Sequence, residues 1–129
     1  MIDIFVGCKQ YIQREGVLAE AGNYLKGIGR RPLVLGDELV LSIVRPTLED
    51  GLAAAGLAPS FVLFEDECSL GEISRVEAIA RQQNLDFIVG TGGGKAIDTS
   101  RMVADRMKVP LVTIPTSAAT CSAASAVAV

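Results

Sequence analysis

Gly90-Thr91-Gly92-Gly93-Gly94-Lys95 follows the apolar residues Phe87, Ile88 and Val89 directly. Glycines let a backbone approach a ligand closely, and a helix starting behind them offers free N–H groups to an anion. Lys95 adds a positive charge, so a pyrophosphate is the natural ligand. Two standard phosphate motifs do not fit. A P-loop needs a glycine five residues before Gly94 and a Ser or Thr after Lys95, but Val89 and Ala96 stand there. This disfavours a P-loop phosphate transferase. A dinucleotide fingerprint beginning at Gly90 needs glycine at position 95, where Lys95 stands. The competing reading is a strand-to-helix turn without a ligand. A glycine triplet closed by lysine is costly as a mere turn, which favours phosphate binding.

Other polar residues stand where such a site would need them. Asp98 follows Lys95 by three positions and is expected on the first turn of the next helix. It either balances the helix dipole or serves the ligand. Asp37 follows the first clear apolar run and reads as a helix N-cap. It also reads as a carboxylate that accepts hydrogen bonds from a ribose diol and repels a 2′-phosphate, favouring NAD over NADP. Further on, Thr116, Ser117, Ala119, Thr120, Cys121 and Ser125 make a small, hydroxyl-rich stretch. It is either a groove lining for ribose, phosphate or carboxamide groups or a loop of no consequence.

The elements that position these residues alternate between amphipathic and purely apolar. A helical period over residues 16–28 puts Val17, Ala21, Tyr24, Leu25 and Ile28 on one face, and Gly29 supplies a stop. Apolar strands are expected at 32–35, 60–64, 87–89 and 111–114. Helices are expected at 38–55, with Pro46 kinking or restarting it, at 71–83 with Ile73, Val76, Ile79 and Ala80 inward, and at 96–107. Glu65-Asp66-Glu67 reads as a solvated acidic loop. Strands without polar alternation are buried on both faces, as parallel strands under helices are. The expected fold is α/β, Rossmann-like and doubly wound around a mainly parallel sheet.

The 129-residue chain is 50% hydrophobic and 21% charged, enough to bury one core and too apolar for a disordered chain or a coiled coil. With a net charge of −3 and no basic run, nucleic acid is a poor partner. Three scattered cysteines suit a reducing compartment better than a disulfide scaffold, and a cytoplasmic location is expected. The absence of histidine excludes Ser-His-Asp and Cys-His catalysis, and any histidine-held metal within this chain alone. The uncharged stretch 109–129 is interrupted by Pro110, Pro115 and six Ser or Thr residues, so no membrane span is expected. The apolar ending, Ala126-Val127-Ala128-Val129, reads as cut inside an element, as in the first portion of a longer polypeptide.

Taken together, Gly92-Gly93-Gly94-Lys95-Ala96-Ile97-Asp98-Thr99, then Pro115-Thr116, Thr120 and Ser125, resemble the iron-containing (group III) alcohol dehydrogenase superfamily. Within it, the pattern is most similar to the glycerol dehydrogenase branch, and residues 11–29 resemble that family's amino-terminal helix. The resemblance implies an α/β nucleotide-binding domain over residues 1–129, followed in the whole enzyme by a helical domain that holds zinc or iron through one Asp and two His. By the same resemblance, Gly92, Gly93, Gly94, Lys95 and Ala96 would hold the NAD pyrophosphate and Asp37 the adenosine ribose. Thr116, Ser117, Ala119, Ser125 and Val127 would line the nicotinamide side. Glycerol dehydrogenases carry Asp, facing the substrate hydroxyls, where this chain has Cys121. A neutral thiol tolerates an anionic substrate better, so a 2-hydroxy acid competes with glycerol as the expected substrate. The resemblance thus implies an NAD-dependent oxidoreductase with a small-molecule alcohol or hydroxy acid as partner, a homo-oligomer when complete, and inactive as this chain alone. A non-catalytic nucleotide-binding module is the alternative.

Overall fold

The structure, a computed structural model, describes residues 11–13, 16, 18–65, 67–115 and 126–128. In chain order the elements are β1 (Tyr11–Gln13), α1 (Ala21–Leu25), β2 (Pro32–Gly36), α2 (Glu38–Ala54) and β3 (Ser60–Leu63). They continue with α3 (Leu70–Gln82), β4 (Phe87–Gly92), α4 (Gly94–Met107), β5 (Leu111–Pro115) and β6 (Ala126–Ala128). One sheet has the order β1-β6-β5-β4-β2-β3. Its β5-β4-β2-β3 part is parallel, with Val34 beside Val89 and Val89 beside Val112; β6 and β1 join antiparallel.

Every residue of β2 and of β4 is buried, because successive side chains enter two different cores. Val34, Phe87 and Val89 pack with Leu25 of α1 and with Val44, Leu48 and Leu52 of α2. Leu33, Leu35 and Ile88 pack on the other face with Ile73, Val76 and Ala80 of α3 and Val103 of α4. Helices on both faces of a mainly parallel sheet make the doubly wound α/β fold expected from the apolar runs. From β2 the chain steps out to β3, then returns to place β4 on the other side of β2. The crevice between the carboxyl ends of β2 and β4 is therefore the topological switch point, where open α/β sheets hold ligands.

One local expectation needs correction, and one of two alternatives is removed. The helix expected over 16–28 is confined to the five residues of α1, preceded by turns and by Gly16 at φ +78°. Ala21 and Leu25 are buried as the period requires, Tyr24 and Ile28 half-buried, and Val17 lies outside the described residues. Pro46, by contrast, does not divide α2. It sits on the exposed side, while Val40, Val44, Leu48 and Leu52, four apart, anchor the opposite side in the core. Among the described residues, no helix is long and apolar enough to cross a membrane.

Candidate functional site

The site forms where β2 and β4 end side by side. Thr91 is fully buried, and its Oγ1 donates to the Leu35 carbonyl at 3.0 Å, tying the two strand ends together. Gly90 lets α4 lie close against the sheet, since a Cβ there would come within 2.5 Å of Ser100 Oγ. Gly92 turns the chain at φ +96°, a left-handed conformation that favours glycine. α4 then begins at Gly94, two residues earlier than its apolar pattern suggests. This puts Gly94, Lys95 and Ala96 in the first helical turn, which contains no acidic residue; Asp98 falls in the second turn and is exposed. The first-turn placement expected of Asp98 is thus incorrect.

Gly93 is the N-cap of α4, with extended backbone (φ −86°, ψ −177°) and no side-chain hydrogen bond to the helix. The first helical bond runs from Ile97 N–H to the Gly93 carbonyl, leaving the N–H groups ahead of it without helical acceptors. A Cβ built on Gly93 or Gly94 would meet nothing within 4 Å. Neither backbone strain nor packing therefore requires glycine at these two positions, although within the helix, at Gly94, glycine is less favourable than alanine by up to ~1 kcal/mol. The open space above them is a cradle that a side chain would fill.

A cavity of about 270 Å³ opens there, lined by Asp37, Phe64, Gly93, Gly94, Lys95 and Ala96. A second, of about 650 Å³, adjoins it through Asp37 and Phe64 and is lined further by Glu38, Leu39, Leu63 and Glu65. Asp37 is the N-cap of α2, accepting from Val40 N–H at 2.8 Å, while its carboxylate also borders both cavities. The capping and ligand-facing readings of this residue are thus compatible. Lys95 Nζ is paired with Glu67 Oε2 at 3.0 Å, with the two side chains 65% and 69% exposed. An exposed pair of this kind contributes little and is readily exchanged.

The structure thus brings together Asp37, Gly93, Gly94, Lys95 and Ala96 beside Gly92, and leaves Asp98 outside the cavity lining. Thr116, Ser117, Ala119, Thr120, Cys121 and Ser125 lie outside the described residues; Val127 is in β6, opposite Ile12. Sequence reading missed Phe64, taken as the end of a strand. It also missed the roles of Glu65 and Glu67, read as merely solvated. Both are exposed but ion-paired, Glu65 with Arg75 at 3.7 Å and Glu67 with Lys95. Behind them Glu72, only 9% exposed, accepts from Arg75 Nε at 2.9 Å, Arg75 NH2 at 2.7 Å and the Glu65 N–H at 2.9 Å. The Arg75 hydrogen bonds hold the Glu72 carboxyl below its ordinary value near 4.5 against the opposing effect of burial, and the Glu65 N–H helps. Glu72 in turn raises the pKa of Arg75.

A glycine-rich helix start at the switch point of a doubly wound sheet invites comparison with known proteins. The family model for iron-containing alcohol dehydrogenase matches residues 8–129. The chain belongs to the iron-containing alcohol dehydrogenase family. Among its relatives, glycerol dehydrogenase of Pseudomonas putida is 41% identical over 120 residues, covering 93% of this chain and 33% of that protein. Glycolaldehyde reductase of Halobacterium salinarum is 33% identical over 118 residues, covering 92% of this chain and 32% of that protein. The crystal structure of glycerol dehydrogenase from Schizosaccharomyces pombe superposes with a TM-score of 0.74 at 26% identity, over 81% of this chain and 26% of that one. The chain thus spans about a third of the length of the curated relatives it matches, and its α/β architecture is that of solved members of the iron-containing alcohol dehydrogenase family.

Proposed function

We propose that residues 1–129 form the NAD-binding domain of a metal-dependent oxidoreductase that acts on an alcohol group. The observation that carries this reading is the cradle at Gly93 and Gly94, above N–H groups without helical acceptors and sharing its cavity with a carboxylate. The α4 amides would donate to the pyrophosphate oxygens, with Gly92 supplying the turn and Lys95 exchanging Glu67 for a phosphate oxygen. Asp37 would accept the adenosine ribose hydroxyls and repel a 2′-phosphate. Thr116, Ser117, Ala119, Thr120, Ser125 and Val127 would border the nicotinamide, which when bound exchanges a hydride with the alcohol carbon. Asp98, exposed on the second turn of α4 and outside the cavity lining, is proposed with these residues as a further coenzyme contact.

The chain has no histidine, and among the described residues no group of three or more His, Cys, Asp or Glu is placed to hold a metal ion. These residues do not fit a metal site, and we propose that the zinc or iron of the family is held by polypeptide outside this chain, in a helical domain. Cys121 would face the substrate. Its neutrality favours a 2-hydroxy acid over glycerol, and comparing kcat/KM for both substrates before and after Cys121→Asp in the complete enzyme tests that choice. The coenzyme reading itself is tested by titration calorimetry of this chain with NADH and NADPH. NADH binding tighter than NADPH binding supports it; equal or tighter NADPH binding removes Asp37 from its role, and no binding of either removes the reading.

A further inference from the structure

The sequence Ser69-Leu70-Gly71-Glu72 has the form of a capping box, in which the glutamate reaches back to the N–H of the capping serine. Half of that box is present: Ser69 Oγ accepts from Glu72 N–H at 3.1 Å. The Glu72 carboxylate is committed elsewhere, to the Glu65 N–H and to both a side nitrogen and a terminal nitrogen of Arg75. Arg75 NH2 also donates to the Leu63 carbonyl at 2.7 Å. One Glu–Arg pair on α3, its glutamate buried and its arginine half-buried, therefore grips the backbone on both sides of Phe64. Phe64 is itself held to β2 through its N–H on the Gly36 carbonyl at 2.7 Å, one residue before Asp37. Its side chain is 7% exposed and forms a wall common to both cavities.

We propose that Glu72 and Arg75 are positioning residues for coenzyme discrimination: they fix Phe64 beside Asp37 so that a ribose diol fits between them and a 2′-phosphate does not. The proposal rests on the coenzyme reading above. The bidentate, charge-assisted geometry resists displacement of the wall, which a single neutral hydrogen bond would not. With the grip released, a ribose loses its seat against Asp37, while a 2′-phosphate gains room to move away from that carboxylate. The two coenzymes thus respond in different directions, which a general loss of folding does not produce.

The test is fluorescence titration of the full chain with NADH and NADPH, wild type against Glu72→Gln, with circular dichroism melts alongside. The glutamine keeps the shape but loses the charge. The expected result is NADH binding weakened on the order of ten-fold, as for loss of one charge-assisted contact, with NADPH binding not weakened. Equal weakening of both coenzymes, or no change in either, overturns the proposal. If wild type binds NADH and Glu72→Gln does not fold, Arg75→Lys is judged by the same two criteria, since lysine keeps the charge without the fork. If wild type binds neither coenzyme, the coenzyme reading falls and this proposal with it.

Discussion

Three helices begin along the same edge of the sheet, and they begin differently. α2 starts under the Asp37 carboxylate and α3 under the Ser69 hydroxyl, each accepting a backbone N–H of its own first turn. α4 starts at a glycine that has no side chain to offer. A capped helix has already satisfied one of its free N–H groups with a group from its own chain; an uncapped one leaves them for a partner. The contrast extends to the first turns. Glu38 and Glu72 bring negative charge to α2 and α3, whereas α4 has Lys95 and no acid. Of the three, only α4 leaves both its N–H groups and its dipole open to an outside anion.

The strongest way to break this contrast is to cap α4. Gly93→Asp suits the extended N-cap backbone and should raise stability by about 0.5 kcal/mol. It should also weaken NADH on the order of 100-fold, because a fixed carboxylate then occupies the cradle and repels a pyrophosphate. A thermal melt and calorimetry on the same sample show whether stability and binding move in opposite directions. Next in size is Asp37→Asn, which keeps a good cap and removes the charge. Stability should hold to within ~0.5 kcal/mol, and the preference for NADH over NADPH should fall about ten-fold, read as a ratio of dissociation constants.

A smaller effect is expected in acid. Because the folded pKa of Glu72 is depressed, its contribution is complete above the ordinary value near 4.5 and is lost as pH falls through the lower folded value. Denaturant melts should therefore show wild type losing stability on acidification below that value more steeply than Glu72→Gln. The smallest effect belongs to the exposed pair at α4. Glu67→Gln should change stability by less than ~0.5 kcal/mol, and should tighten NADH by at most a few-fold by freeing Lys95, both measurable in the same titrations.

Much of the fold was legible because it is written in local periodicity. The apolar runs of β2 and β4 have no polar alternation, since neighbouring side chains enter opposite cores. The spacing of Val40, Val44, Leu48 and Leu52 outweighs Pro46 for the same reason: burial along one side of the helix is worth more than one missing N–H. The first helix was overread. Its period continues beyond Ala21–Leu25, but a period states which residues are able to share a face and not how far the backbone follows it.

The glycine run, the lysine and the carboxylate at a strand end were determined by the sequence, because residue types carry their own chemistry: an open backbone, a charge, an acceptor. Which of them meet was decided by topology. Asp37 borders the same cavity as Gly93 because β2 and β4 are adjacent, a pairing sealed by Thr91 and Leu35 from 56 residues apart. The strand crossover likewise brought Glu67 to Lys95 across 28 residues, whereas Asp98, three residues from Lys95 on the same helix, is left outside the cavity lining by the helical turn. Glu72 shows the division within one residue. Its spacing from Ser69 specified a cap, and only the tertiary contacts with Glu65 and Arg75 diverted its carboxylate from its own helix to the wall of the site.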